Sequence, residues 1–138
     1  MIEQRTTVAA DAAQLPALVQ FLQSFWTAQK LPPAQALTFE LALEEVFLNV
    51  VLHGAPPGPL PRIEVTLALL GHGLTMTVED TGPHFDPTAL PSPDVTASAA
   101  SRPVGGLGVF LVRQMMDAVS YERVGECNRL RMTKYLPG

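Results

Sequence analysis

Between Leu41 and Gly54 the chain reads Leu-Ala-Leu-Glu-Glu-Val-Phe-Leu-Asn-Val-Val-Leu-His-Gly, and this run limits the choice of fold more than any other. On a helix of about 3.6 residues per turn, Ala42, Leu43, Val46, Phe47, Leu48, Val50, Val51 and Leu52 point in nearly every direction. Such a helix has to be covered on most sides, so the spacing predicts one buried between other elements. Its polar residues then need partners. Glu45 and Asn49 are four apart and share a face, with His53 one turn further on. A buried carboxylate or amide is costly unless something binds it, and a metal ion, a water or a ligand would serve. The alternative is a Glu and an Asn at a helix edge, reaching solvent or a nearby backbone group.

A chain of 138 residues is one domain's worth, long enough to bury a substantial single core. Hydrophobic residues make up 47% and charged ones 16%, as in a compact globular protein. The formal net charge of -4 argues against non-specific nucleic-acid binding and leaves proteins or small molecules as partners. The single cysteine, Cys127, allows no internal disulfide and is read as a packed small residue rather than a nucleophile. Met1-Ile2-Glu3-Gln4-Arg5 has no apolar signal core, and no apolar run reaches the roughly 18 residues of a membrane span. The expected location is cytoplasmic, with no membrane partner.

In chain order, residues Ile2 to Ala9 suit a short edge strand. Asp11 is placed to cap a helix running to about Lys30, with Leu15, Leu18, Val19, Leu22, Phe25 and Trp26 at helical spacing and Trp26 in the core. Leu31-Pro32-Pro33 breaks that helix, and the Pro pair suits the start of the second, which stops near Gly54. Ile63, Val65, Leu67 and Leu69 alternate, Gly71-His72-Gly73 turns, and Leu74, Met76 and Val78 alternate again, which predicts a hairpin with one face on a core. Two more strands are expected at Ala118 to Val124 and Leu130 to Leu136, around a Gly125-Glu126 turn.

The hairpin ends in Glu79-Asp80-Thr81-Gly82-Pro83-His84-Phe85-Asp86. An Asp at a strand end with Gly two residues on leaves a carboxylate beside backbone that a flat ligand can approach closely, although an ordinary turn has the same residues. From Pro87 to Pro103 the chain is irregular and proline-rich, longer than compact domains keep without a use, and it leads into Gly105-Gly106-Leu107-Gly108 ahead of a helical pattern. A glycine-rich turn that opens a helix presents backbone N–H groups and the positive end of the helix dipole to a phosphate; as a bare hinge it would bind nothing. Neither a Rossmann fingerprint nor a P-loop is present.

Taken in order, these segments resemble the GHKL ATPases, and within them the small anti-sigma factor serine kinases of the RsbW and SpoIIAB type. Glu45-x-x-x-Asn49-x-x-x-His53-Gly54 is similar to their N box, Asp80-x-Gly82-x-x-Phe85-Asp86 to their adenine-binding box, and Gly105-Gly106-Leu107-Gly108-Val109 to their second glycine box. The likeness covers nearly the whole chain and extends to Asp117-Ala118-Val119-Ser120 and Leu130-Arg131-Met132-Thr133-Lys134. It implies a two-layer α+β sandwich of the Bergerat type, a mixed, largely antiparallel sheet with helices on one face. One ATP-binding domain would span residues 1–138, with an ATP lid at about 83–104.

By the same resemblance the cofactors are ATP and Mg2+. Asn49 would ligate magnesium, Asp80 would accept a hydrogen bond from the adenine amino group, and Gly82 would let the base lie close. His53 and Phe85 belong to the same nucleotide boxes. Gly105, Gly106, Leu107 and Gly108 would cradle phosphates, and Glu45 would be the general base toward a serine hydroxyl. Relatives often carry an Arg just before the second glycine box; Val104 stands there, and Arg102, two residues earlier, is the candidate substitute. Asn128-Arg129 stands where relatives often have threonines near the base. The implied partners are a sigma factor and an anti-anti-sigma (STAS-domain) protein, and a homodimer is compatible with the resemblance. The alternative function is a protein-binding module shaped by nucleotide, with little or no kinase activity. An ATPase fragment serving a histidine kinase fits less well, because no dimerisation helix or phospho-acceptor segment precedes the domain.

Overall fold

The computed structural model describes residues 1–53, 58–89 and 112–137. Among the described residues five strands form one sheet: β1 (Ile2–Ala9), β2 (Arg62–Leu70), β3 (Gly73–Asp80), β4 (Ala118–Val124) and β5 (Cys127–Tyr135), in the order β1-β2-β3-β5-β4. Among the described residues all the pairings are antiparallel, in keeping with the largely antiparallel sheet that the resemblance implied. The β4–β5 hairpin enters so that β5, last in sequence, lies beside β3 and pairs Asp80 with Asn128. The helices α1 (Leu15–Ala28) and α2 (Ala36–His53) cover the sheet.

The helix boundaries follow local chemistry. Asp11 accepts a hydrogen bond from the Ala13 N–H at 3.0 Å, but it caps a short 3-10 turn (Ala12–Gln14) that runs into α1, so α1 starts later than the sequence suggested. At the far end Lys30 takes a left-handed φ of 53°, and the Leu31 N–H returns to the Trp26 carbonyl at 3.1 Å. Those bonds satisfy carbonyls that a helix end otherwise leaves open. Pro33 opens a second 3-10 turn (Pro33–Gln35) ahead of α2.

Ile63, Val65, Leu67, Leu74, Met76, Val78, Leu130 and Met132 face the helices and are buried. Against them pack Leu18, Leu22, Phe25 and Trp26 of α1 and Phe39, Ala42, Leu43, Val46 and Phe47 of α2. The Trp26 and Phe39 rings lie 5.4 Å apart, and the Trp26 indole N–H donates to the Pro32 carbonyl at 2.9 Å, so the indole is core with its polar end satisfied.

One expectation fails here. The helix α2 is not buried all round: Leu37, Leu41, Leu48 and Leu52 are exposed, Leu37 by 61%. One sheet face and one neighbouring helix cover only the side that carries residues 39, 42, 43, 46 and 47 among the described residues. Asn49 sits at the edge of that covered side and is buried, while Glu45 and His53 are half-buried.

Candidate nucleotide site

The C-terminal half of α2, the end of β3 and the start of β5 converge on one pocket. It is lined by Val46, Asn49, Val50, Val78, Asp80, Phe85, Pro87, Tyr121, Asn128 and Leu130, and it continues past His53, Gly82 and Pro83. The walls are mostly apolar, and the few polar groups are held at fixed points, the composition of a small-molecule site.

Asp80 is the in-facing residue at the end of β3, in phase with Leu74, Met76 and Val78, so the strand's alternation itself turns the carboxylate inward. It is only 8% exposed. Its Oδ1 accepts from the Gly82 N–H at 2.9 Å and from the Asn128 amide at 3.0 Å. Burial pushes the carboxyl above the usual carboxylate range, opposed by those two hydrogen bonds and by the Arg123 charge. Among the described residues no protein donor occupies Oδ2. Gly82 is required by close approach: a Cβ there would lie 2.9 Å from Asp80 Oδ1 and 3.5 Å from the Pro61 ring.

On the helix side, Asn49 is 5% exposed, and among the described residues its buried Nδ2 has no hydrogen-bond partner. An orphaned buried amide at a pocket wall calls for a ligand or an ordered water. His53 stacks on Phe85, ring centroids 4.1 Å apart and planes at 21°, tying the end of α2 to the turn after β3.

The structure thus brings together Asn49, His53, Asp80, Gly82 and Phe85. Glu45 lies one turn before Asn49 and does not line the pocket among the described residues. Arg102, Gly105, Gly106, Leu107 and Gly108, and the lid from residue 90 onward, lie outside the described residues. Residues 83–89, the near end of the expected lid, are anchored by Asn128 bonds to Pro83 and Phe85 and by burial of Pro87. Nothing in the sequence pointed to Tyr121, and Asn128, which the resemblance put near the base, received no role there. Asn128 falls in phase with Leu130 and Met132, and a polar residue in that phase was the available signal.

Among the described residues no group of three or more His, Cys, Asp or Glu could hold a metal ion. A magnesium ion here would rely on Asn49 together with ligand phosphates and water, which suits an ion that keeps much of its hydration. None of the described helices is long and apolar enough to cross a membrane.

The family profile of the histidine kinase-like ATPase domain matches residues 8–134. The serine/threonine-protein kinase BtrW of Bordetella bronchiseptica is 33% identical over 98 residues, 71% of this chain and 69% of that protein. Among solved structures, one of the RsbU and RsbW domains of a Mycobacterium tuberculosis protein superposes with a TM-score of 0.69 at 16% identity. The match covers 99% of this chain and 33% of that one, so this chain spans about a third of it. The nucleotide-free catalytic domain of the histidine kinase ThkA gives a TM-score of 0.55 at 11% identity, covering 96% of this chain and 97% of that one. These two similarities concern the fold.

The chain belongs to the histidine kinase-like ATPase domain family. Within that family it stands with the RsbW-type GHKL kinases, through the motifs quoted above and the similarity to BtrW.

Proposed function

We propose that the protein is an anti-sigma factor with serine kinase activity, which binds a sigma factor and phosphorylates an anti-anti-sigma antagonist of the STAS type with ATP. The observation that carries this reading is the pairing, across one pocket, of a buried amide whose Nδ2 has no partner among the described residues (Asn49) and a buried carboxylate (Asp80). The 33% identical relative being named a serine/threonine-protein kinase supports it.

In this reading Asp80 accepts from the exocyclic amino group of adenine, while Gly82 leaves the base room to approach. The apolar walls, Val46, Val50, Val78 and Leu130, bury the base and exclude water. Asn49 would hold magnesium through its side-chain oxygen, and the metal would supply charge neutralisation of the phosphates. Gly105, Gly106, Leu107 and Gly108 cradle those phosphates, and Arg102 stands in for the arginine replaced by Val104. Glu45 accepts the proton of the attacking serine hydroxyl from its place one turn along α2. Phosphoryl transfer asks the protein mainly for positioning, charge neutralisation and one proton acceptor, and these residues provide that set.

Incubation with labelled ATP and a candidate antagonist tests the assignment. Label transferred to a serine of the antagonist is expected. ATP binding without transfer to any cognate antagonist would favour the nucleotide-shaped binding module, with Val104 as the reason.

A further inference from the structure

Asn128 has four hydrogen-bonding positions, and all four are filled inside the protein. Its Nδ2 donates to Asp80 Oδ1 at 3.0 Å and to the Pro83 carbonyl at 2.8 Å. Its Oδ1 accepts from the Phe85 N–H at 3.3 Å and from the Tyr121 hydroxyl at 2.5 Å. An asparagine side chain offers two donors and two acceptor lone pairs, so none remains for a ligand. The residue is 5% exposed. Although it lines the pocket, it is saturated by the protein and cannot be the group that reads a base.

Its four partners come from three parts of the chain. Asp80 ends β3, Pro83 and Phe85 belong to the turn that follows, and Tyr121 belongs to the edge strand β4. Arg123, two residues further along β4, donates to the Gly82 carbonyl at 2.9 Å. The β4–β5 hairpin thus grips the turn from outside, with Asn128 as the point where the grip reaches the carboxylate. On the inner side the same turn carries Phe85 against His53 of α2.

We infer that Asn128 is the positioning residue for base selection: it fixes the Asp80 carboxylate through Oδ1, so that Oδ2 is presented as a rigid acceptor, and it sets the Pro83–Phe85 turn in the same step. This rests on the reading of the pocket as an adenine nucleotide site. The ligand feature selected is an exocyclic amino group, and a base with a carbonyl oxygen at that position meets an acceptor with an acceptor. Without Asn128 the carboxylate loses one of its two anchors and can rotate. Affinity then falls, and discrimination between an amino and a carbonyl group falls with it.

The test titrates the full chain with Mg-ATP and Mg-GTP by calorimetry, comparing wild type with Asn128→Leu and Asn128→Asp. Wild type is expected to prefer ATP. Asn128→Leu keeps the approximate shape and removes every bond, and should lose about tenfold or more in ATP affinity with a smaller loss for GTP. Asn128→Asp sets a carboxylate oxygen against Asp80 and the Pro83 carbonyl. Its ATP deficit relative to wild type should be large at pH 8 and shrink at pH 5.5, where one proton shared between the two carboxylates restores a donor. The other titratable or charged groups facing this corner are His53, His84, Asp86, Tyr121 and Arg123, so the ratio to wild type at each pH is what counts. Equal losses for ATP and GTP at every pH would mean that Asn128 only supports the fold, and would overturn the inference.

If wild type binds no nucleotide, the reading of the pocket fails. The positioning claim then still meets a separate measurement, the Asp80 carboxyl titration followed by NMR in the ligand-free chain. That titration should move upward in Asn128→Leu, because a hydrogen bond that holds it down is gone. No movement would show that Asn128 does not control the carboxylate. Should Asn128→Leu fail to fold, Asn128→Asp carries both tests.

Discussion

Asp80→Asn should make the protein a poorer nucleotide binder and, at neutral pH, no less stable. The asparagine oxygen can take the place of Asp80 Oδ1 and keep both bonds it accepts, from Gly82 N–H at 2.9 Å and Asn128 Nδ2 at 3.0 Å. The other oxygen is replaced by an N–H2 group, which opposes the adenine amino group donor to donor. Losing a hydrogen bond to a charged acceptor costs about 1.5 to 3 kcal/mol, roughly 10- to 150-fold in Kd. Stability moves the other way. The folded state raises the Asp80 pKa, chiefly by burial, so its contribution to stability is fully present below the unfolded carboxylate range and is lost as pH rises through the folded value. At pH 7 the ionised carboxylate therefore strains the fold, and neutralising it removes that strain. Each kcal/mol gained would raise Tm by roughly 3 to 5 °C in a chain of this length. Calorimetry with Mg-ATP and thermal unfolding at pH 4 and pH 7 are the assays. The expected pattern is weaker binding together with a variant-minus-wild-type Tm difference that is zero or positive at pH 7 and smaller at pH 4. Unchanged ATP affinity would refute the adenine contact, and a variant clearly less stable at pH 7 than at pH 4, relative to wild type, would refute the burial argument.

Asn49→Ala should abolish most of the magnesium dependence of ATP binding, read as the ratio of affinities with Mg2+ and with EDTA; an unchanged ratio removes Asn49 as the ligand. Glu45→Gln should leave Mg-ATP binding intact and slow transfer to the antagonist by about 10² to 10⁴, with Glu44→Gln, about 100 degrees round the helix, as the control. An inactive Glu44→Gln beside a normal Glu45→Gln would put the base on the wrong residue. Phe39→Ala, at a fully buried position against Trp26, should cost about 3 to 5 kcal/mol in urea unfolding, whereas Leu37→Ala, 61% exposed, should stay within about 0.5 kcal/mol. Similar costs at both positions would mean that α2 is covered on both sides.

Most elements were legible because their periodicity is strong. Ile63-x-Val65-x-Leu67 and Leu74-x-Met76-x-Val78 alternate about a glycine-bounded turn, and the β2–β3 hairpin forms with Leu70 opposite Gly73. The site residues of α2 and β3 were legible for a related reason: Asn49 and Asp80 are polar residues in otherwise apolar phases. Two things were not legible. Leucine count alone made α2 look buried on every side, but coverage is set by how many elements pack around a helix, and among the described residues Leu37, Leu41, Leu48 and Leu52 stay exposed. Starting the last strand at Leu130 left Asn128 outside it, although β5 begins at Cys127. The placement of Asn128 beside Asp80 depends on β5 pairing with β3 across a long excursion of the chain, and no local pattern encodes that pairing.

A structure of the protein with Mg2+ and a non-hydrolysable ATP analogue tests the central claim most directly. The account predicts the base between α2 and the β3–β5 pair, its amino group within hydrogen-bond distance of Asp80 Oδ2, and the Asn49 oxygen on the metal. An analogue bound elsewhere, or a base in this pocket whose amino group contacts no oxygen of Asp80, would contradict it.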